Sequence, residues 1–185
     1  MTKTTEPGVS RRGLFRLIAG RAPEPGPTSE EIGAWVVAAR EAFARGDFQT
    51  SVEHFRTWLR HTPGDDDSRM LLGRALYAVG RHVQALVEFD RVARRHAEHP
   101  AALFLCLCRL RLGKTDKAPE AFHAVGTLVT KFPRELAERI EAVRDDPSLA
   151  SEAADALETA LLQIIPPLPA TADAREASGR ETHPT

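Results

Sequence analysis

Few side chains in this 185-residue sequence have the types and spacing that chemistry needs. Cys106 and Cys108 are its only cysteines. Two positions apart on a helix they point about 200° apart around the axis, which keeps them from bonding to each other or gripping one metal. His96 and His99 fall three apart, yet Pro100 ends the helix that would carry them, and no cysteine or carboxylate stands at a zinc-like spacing beside them. The run Asp65-Asp66-Asp67 reads as the start of a helix, where acids favour the macrodipole. No glycine-rich phosphate loop, serine nucleophile elbow or paired acid and histidine is visible. The sequence therefore predicts no catalytic residue, no metal site and no cofactor.

The totals point the same way. Lys+Arg 25 against Asp+Glu 26 leaves a formal charge of -1, so no global field argues for a nucleic-acid or membrane partner. The longest apolar stretches fall well short of the roughly 20 residues a membrane-spanning helix requires, which predicts no stable membrane insertion. Two cysteines without a framework suit a reducing, cytoplasmic setting.

The elements that must position any binding surface lie between two proline-rich ends. Residues 1–27 hold Pro7, Pro23, Pro25 and Pro27 with Gly8, Gly13, Gly20 and Gly26, the composition of an arm. Thr28 and Glu31 then have the spacing of a capping box, and apolar residues recur at helical intervals from there to about residue 165. Pro166, Pro167 and Pro169 stop the last helix, and residues 170–185 offer no large apolar side chain to bury, so 166–185 reads as a disordered tail.

Within 28–165 the decisive feature is self-similarity. Gly46, Gly80 and Gly113 stand 34 and then 33 residues apart. The same interval joins Phe55, Phe89 and Phe122; Ser51, Ala85 and Ala118; Trp58, Val92 and Val125; and Phe43, Tyr77 and Leu110. A glycine ends one helix, an aromatic nine residues later packs back from the next, and a small residue between them lets the backbones approach. Each unit is then a helical hairpin with an apolar side that only a neighbouring hairpin can cover.

The residues in this register resemble the tetratricopeptide repeat. Leu72-Gly73, Tyr77, Gly80, Ala85 and Phe89 carry the likeness in the second unit, and Trp35, Gly46-Asp47-Phe48, Phe55 and Pro63 in the first. There Ser51 replaces the usual alanine and Ala38-Ala39 the leucine and glycine. In the third unit Cys106 takes the small site, Thr115 the place of an aromatic, and Pro119 falls in the first turn of the second helix. The resemblance spans 28–131 and implies an all-α, right-handed solenoid of three hairpins whose first helices line a concave groove for a protein or peptide. The family's groove pattern selects Val36, Arg40 and Phe43, then Met70, Arg74 and Tyr77, then Leu103, Leu107 and Leu110. Arg40 and Arg74 occupy equivalent places, and their planar forks suit a ligand acid. The lysine and asparagine clamp of the chaperone-binding members is missing, since Arg40, Arg74 and Leu107 fill the asparagine sites.

Beyond the third unit, Pro133 opens a helix with Leu136, Ile140 and Val143 on one face, and Asp146-Pro147 opens another through about Ile164. Its stripe of Leu149, Ala153, Leu157, Leu161 and Ile164 is expected to cap the open end of the stack or form a degenerate fourth repeat. A different function follows if that stripe instead pairs with a second copy, making the chain an oligomerisation module. In the arm, Ser10 to Arg16 resembles the twin-arginine export motif through Arg11, Arg12, Leu14, Phe15 and Arg16, but the apolar run after it is too short for export. Similar uncleaved starts occur on cytoplasmic accessory proteins of bacterial respiratory redox enzymes, which implies an adaptor or assembly chaperone. Physically the arm is a short basic amphipathic segment able to fold on a partner groove, to lie on an anionic membrane or to dock on its own domain near Asp65-Asp66-Asp67. The alternative is a solvating leader with no partner.

Overall fold

The computed structural model describes residues 26–165 apart from residue 97. The arginine-rich motif at Arg11, Arg12, Leu14, Phe15 and Arg16, and the tail from residue 166, lie outside the described residues. What is described is an all-α solenoid without strands, built from consecutive hairpins. Its helices are α1 (Ser29–Ala44), α2 (Phe48–His61), α3 (Asp66–Ala78), α4 (His82–Arg95), α5 (Ala101–Arg111), α6 (Ala118–His123), α7 (Arg134–Ala142) and α8 (Ala150–Ile164). Short 3-10 turns stand at Thr115–Lys117, Gly126–Lys131 and Pro147–Leu149.

The first helix begins as its sequence dictates: the Thr28 hydroxyl accepts from the Glu31 amide at 3.2 Å and the Glu31 carboxylate accepts from the Thr28 amide at 2.7 Å. Each first arm then ends in the same closure. Gly46, Gly80 and Gly113 take φ of +79°, +76° and +66°, a conformation that costs a residue bearing a Cβ. The amides of the following Asp47, Arg81 and Lys114 return to the carbonyls of Ala42, Leu76 and Arg109 at 2.9, 2.8 and 2.8 Å. That is the bond that satisfies the orphan carbonyls of a helix ending in a left-handed residue. The three glycines therefore share one environment, and the equivalence inferred from their spacing is physical.

The repeat register fills the core. Phe55, Phe89 and Phe122 are wholly buried, as are Ser51, Ala85 and Ala118 between the helices of each hairpin. Ser51 departs from alanine without leaving a stranded hydroxyl, because its Oγ donates to the Ala39 carbonyl at 3.0 Å. Arg69 crosses from α3 to α4, donating to Glu88 at 2.7 Å and to the Pro63 carbonyl at 2.8 Å. Asp65 caps α3 through the Ser68 amide and also accepts from the Trp58 indole at 2.7 Å. The acidic run thus starts a helix, and its Asp66 pairs with Arg95 at the end of α4 and with His96 just beyond it.

The third hairpin departs from the other two. Its second arm, α6, is only six residues long, where the repeat pattern calls for a full helix. Gly126, at φ +56°, lies outside helical space, and a 3-10 turn carries the chain on to Lys131.

The two C-terminal helices close the stack beyond the third hairpin. α7 packs on α6, but α8 turns back onto α5 and reaches Tyr77 of α3. It covers the side of the stack that the first arms share. The stripe is largely used inside the chain: Ala153, Leu157 and Leu161 are buried against it, and Leu149 and Ile164 remain partly exposed.

One close approach yields a prediction. A Cβ on Gly73 would lie 2.6 Å from the Phe89 ring, which Phe104 stacks against at 5.1 Å and holds in place. Alanine gains about 1 kcal/mol of helix propensity over glycine, but overpacking a filled core costs about 1–3 kcal/mol. Gly73→Ala should therefore destabilise by about 1 kcal/mol in urea unfolding. Net stabilisation would show that the ring yields.

Candidate functional site

The three first arms leave a shared wall, and α8 closes it into a cavity of about 680 Å³. Phe43 of α1, Arg74 and Tyr77 of α3, and Phe104, Leu107 and Arg111 of α5 face it from the repeats. Glu158, Leu161, Leu162 and the following Ile165 face it from the other side.

Arg74 sits at the centre of this wall. Its guanidinium carbon lies 5.2 Å from the centre of the Phe43 ring and 5.8 Å from that of Phe104. Ring faces attract a cation and offset part of the cost of drying it. Burial alone pulls its pKa below the ordinary arginine value, though not far enough to discharge a guanidinium. Among the described residues no carboxylate pairs with it. A charged planar fork is thus held between two rings beside an apolar hollow, with its donors unclaimed among the described residues.

The second polar group of the wall is fully engaged. The Tyr77 hydroxyl donates to Glu158 Oε2 at 2.9 Å and accepts from Arg111 Nε at 3.0 Å. Arg111 also reaches Glu158 at 2.6 Å and Asp155 at 2.7 Å. Burial pushes the Tyr77 hydroxyl well above its usual range, with the Glu158 carboxylate adding to it. Burial works against the Arg111 charge, but its bonds to Tyr77, Glu158 and Asp155 outweigh that and raise its pKa. This corner displays how the groove handles an acid: a fork, a hydroxyl and one carboxylate between them.

Of the residues selected from sequence, the structure brings Phe43, Arg74, Tyr77 and Leu107 together at the cavity. Leu103 and Leu110 are buried in the core instead. Val36 and Met70 are partly buried and pack against the core, away from the cavity wall. Arg40 is exposed. Its charge acts on Asp65, whose carboxyl is pushed up by burial but ends below the usual range because bonds from Ser68 and Trp58, together with Arg40, hold it down. Sequence reasoning missed Phe104, Arg111 and the whole α8 wall. The first two were within reach, because they stand three before and four after Leu107 on one helical face. Counting 34 from Tyr77 also lands on Arg111, whereas the glycine interval of 33 lands on Leu110.

Elsewhere the chemistry-bearing residues have structural partners. The Cys106 and Cys108 thiols are free and buried, and burial pushes the second up to about 12, so neither is a ready nucleophile. His99 accepts from the Ala101 amide at 3.0 Å through Nδ1, and His96 meets Asp66 at 2.8 Å. Among the described residues no group of three or more His, Cys, Asp or Glu is placed to hold a metal. No described helix is long and apolar enough to cross a membrane.

No curated protein and no solved structure matches the chain. The tetratricopeptide repeat family does: its profile matches residues 42–103, from the end of α1 through the first turn of α5, so this stretch is similar in sequence to the family whose hairpin architecture the fold displays.

Proposed function

We propose that this chain is a protein-interaction scaffold that holds an apolar segment bearing an acidic group against Arg74. The observation that carries this reading is the Arg74 fork, fixed between Phe43 and Phe104 on the wall of an apolar cavity and lacking a carboxylate partner among the described residues. A desolvated guanidinium gains most from a carboxylate that meets it in a bidentate manner, and apolar walls suit leucine or phenylalanine side chains beside that acid. The similarity of residues 42–103 to the tetratricopeptide repeat supports the scaffold role. A narrower role as a cytoplasmic adaptor or assembly chaperone for a bacterial redox enzyme rests on the segment from Ser10 to Arg16.

A random heptapeptide library tests the groove. The wild-type chain should enrich peptides with one or more acids flanked by large apolar residues, and Arg74→Gln should bind the enriched peptide about 10- to 100-fold more weakly, the range for charge-assisted hydrogen bonds. It should also stop distinguishing that peptide from its glutamine analogue. Equal affinity of both proteins for the acidic peptide would remove Arg74 from the site.

A further inference from the structure

The cavity contains a carboxylate of its own. Glu158, on α8, sits on the Arg111 fork and the Tyr77 hydroxyl, two groups in the same wall as Arg74. We propose that Glu158 holds the Arg111 fork against a second acid of the ligand whose first acid lies on Arg74, and that α8 is an autoinhibitory strap which such a segment opens by taking the place of Glu158. This deepens the groove reading above and rests on it.

Three features support an exchange over a permanent tie. The swap is balanced in charge, since an incoming carboxylate replaces an outgoing one on Arg111 and no cation is left unpaired. Glu158 is already 40% exposed, so releasing it to water strands no buried ion. The anchoring of α8 is also uneven along its length. Ala150, Ala153, Ala154 and Leu157 are buried before Glu158, whereas after it only Leu161 is buried and Leu162 stands 66% exposed on the cavity side. The first turns can therefore stay docked while the last swing out.

Opening that last part of the helix removes Leu161, Leu162 and Ile165 from the wall and widens the groove along α3 and α5. Asp155, on the same helix and 67% exposed, also holds Arg111; it lies in the part that stays docked, so Arg111 keeps this solvent-screened pair when Glu158 leaves. A protein whose open form is a minor state shows an affinity reduced by the open fraction. Weakening the strap should restore that affinity.

The test compares the full-length wild type, Glu158→Gln and Arg74→Gln. The library is selected on the first two, and the probe is a fluorescein-labelled acidic heptapeptide so enriched, read by anisotropy. Glu158→Gln keeps the side chain's size and should leave the circular dichroism spectrum unchanged. We expect it to bind the probe about tenfold more tightly than wild type, and probe binding to wild type to speed hydrogen exchange of the amides of residues 159–164. If Glu158→Gln binds no tighter while Arg74→Gln loses the probe, the strap is overturned and the groove reading stands. If neither selected protein enriches acidic peptides, the groove reading itself fails, and the strap with it.

Discussion

Phe89→Ala should lower the stability of the folded chain by about 3–5 kcal/mol, the usual cost of deleting a fully buried phenylalanine. The ring has no exposed surface and joins three elements at once: it sits on α4, rests over the bare backbone of Gly73 in α3, and stacks on Phe104 of α5 at 5.1 Å and 24°. A repeat array transmits stability only between neighbours, and Phe89 lies at the junction of the second hairpin with the third. Urea unfolding gives the loss directly, provided the transition stays two-state. A double substitution then isolates the contact with Gly73. Phe89→Leu shortens the side chain, so adding Gly73→Ala to it should cost less than in the wild-type background, with a coupling of about 0.5–2 kcal/mol. A loss below about 1 kcal/mol for Phe89→Ala, or strict additivity in the cycle, would mean that the two hairpins are held together elsewhere.

The hairpins were legible in the sequence because their physics is local. A glycine that must take positive φ, an aromatic nine residues on and a small residue between them are short-range requirements, and all three recur at 46, 55 and 51, at 80, 89 and 85, and at 113, 122 and 118. The capping box at Thr28 and the opening of the last helix at Asp146-Pro147 were readable for the same reason. What failed were long-range relations. Whether α8 stacks after α7 or folds back onto α5 depends on which apolar surface it meets, and its stripe is equally apolar in either case. The pairing of Tyr77 with Glu158 spans 81 positions and leaves no periodic trace. The third arm of the groove was misjudged by one residue. The interval of 33 that joins Gly80 to Gly113 also joins Arg74 to Leu107, and in it Tyr77 answers to the buried Leu110 while Arg111 answers to Ala78, its neighbour on the cavity wall. The arginine pair shows the limit of equivalence. Arg40 and Arg74 match in register, but Arg74 has an aromatic ring on each side, Phe43 from the arm before and Phe104 from the arm after, and Arg40, in the first arm, has no preceding hairpin among the described residues to supply one.

Leu157→Asp should detach α8 while leaving the repeats folded. Leu157 is wholly buried, and an unpaired carboxylate placed there costs on the order of 4–5 kcal/mol or more. The helix has little to resist with. Its buried side chains are Ala150, Ala153, Ala154, Leu157 and Leu161, and the two leucines each contribute about 1.5–3 kcal/mol of burial, part of which is offset by the entropy of ordering an end helix. The penalty therefore exceeds what docking returns, and α8 lets go. By contrast α3, α4 and α5 are flanked on both sides and keep Phe89 and Leu103 buried away from the cavity that α8 closes. Hydrogen exchange should show the amides of residues 150–164 losing protection while those of α3 to α5 keep most of theirs, and circular dichroism should lose about one helix's worth of signal. Undocking α8 also frees Arg111 and strips one wall from the cavity, so the variant should bind a small acidic probe without the strap's competition yet hold large apolar side chains less well. A single cooperative collapse of every helix would be the opposite result: α8 would then be part of the solenoid's own core, and a strap that opens by itself would be impossible.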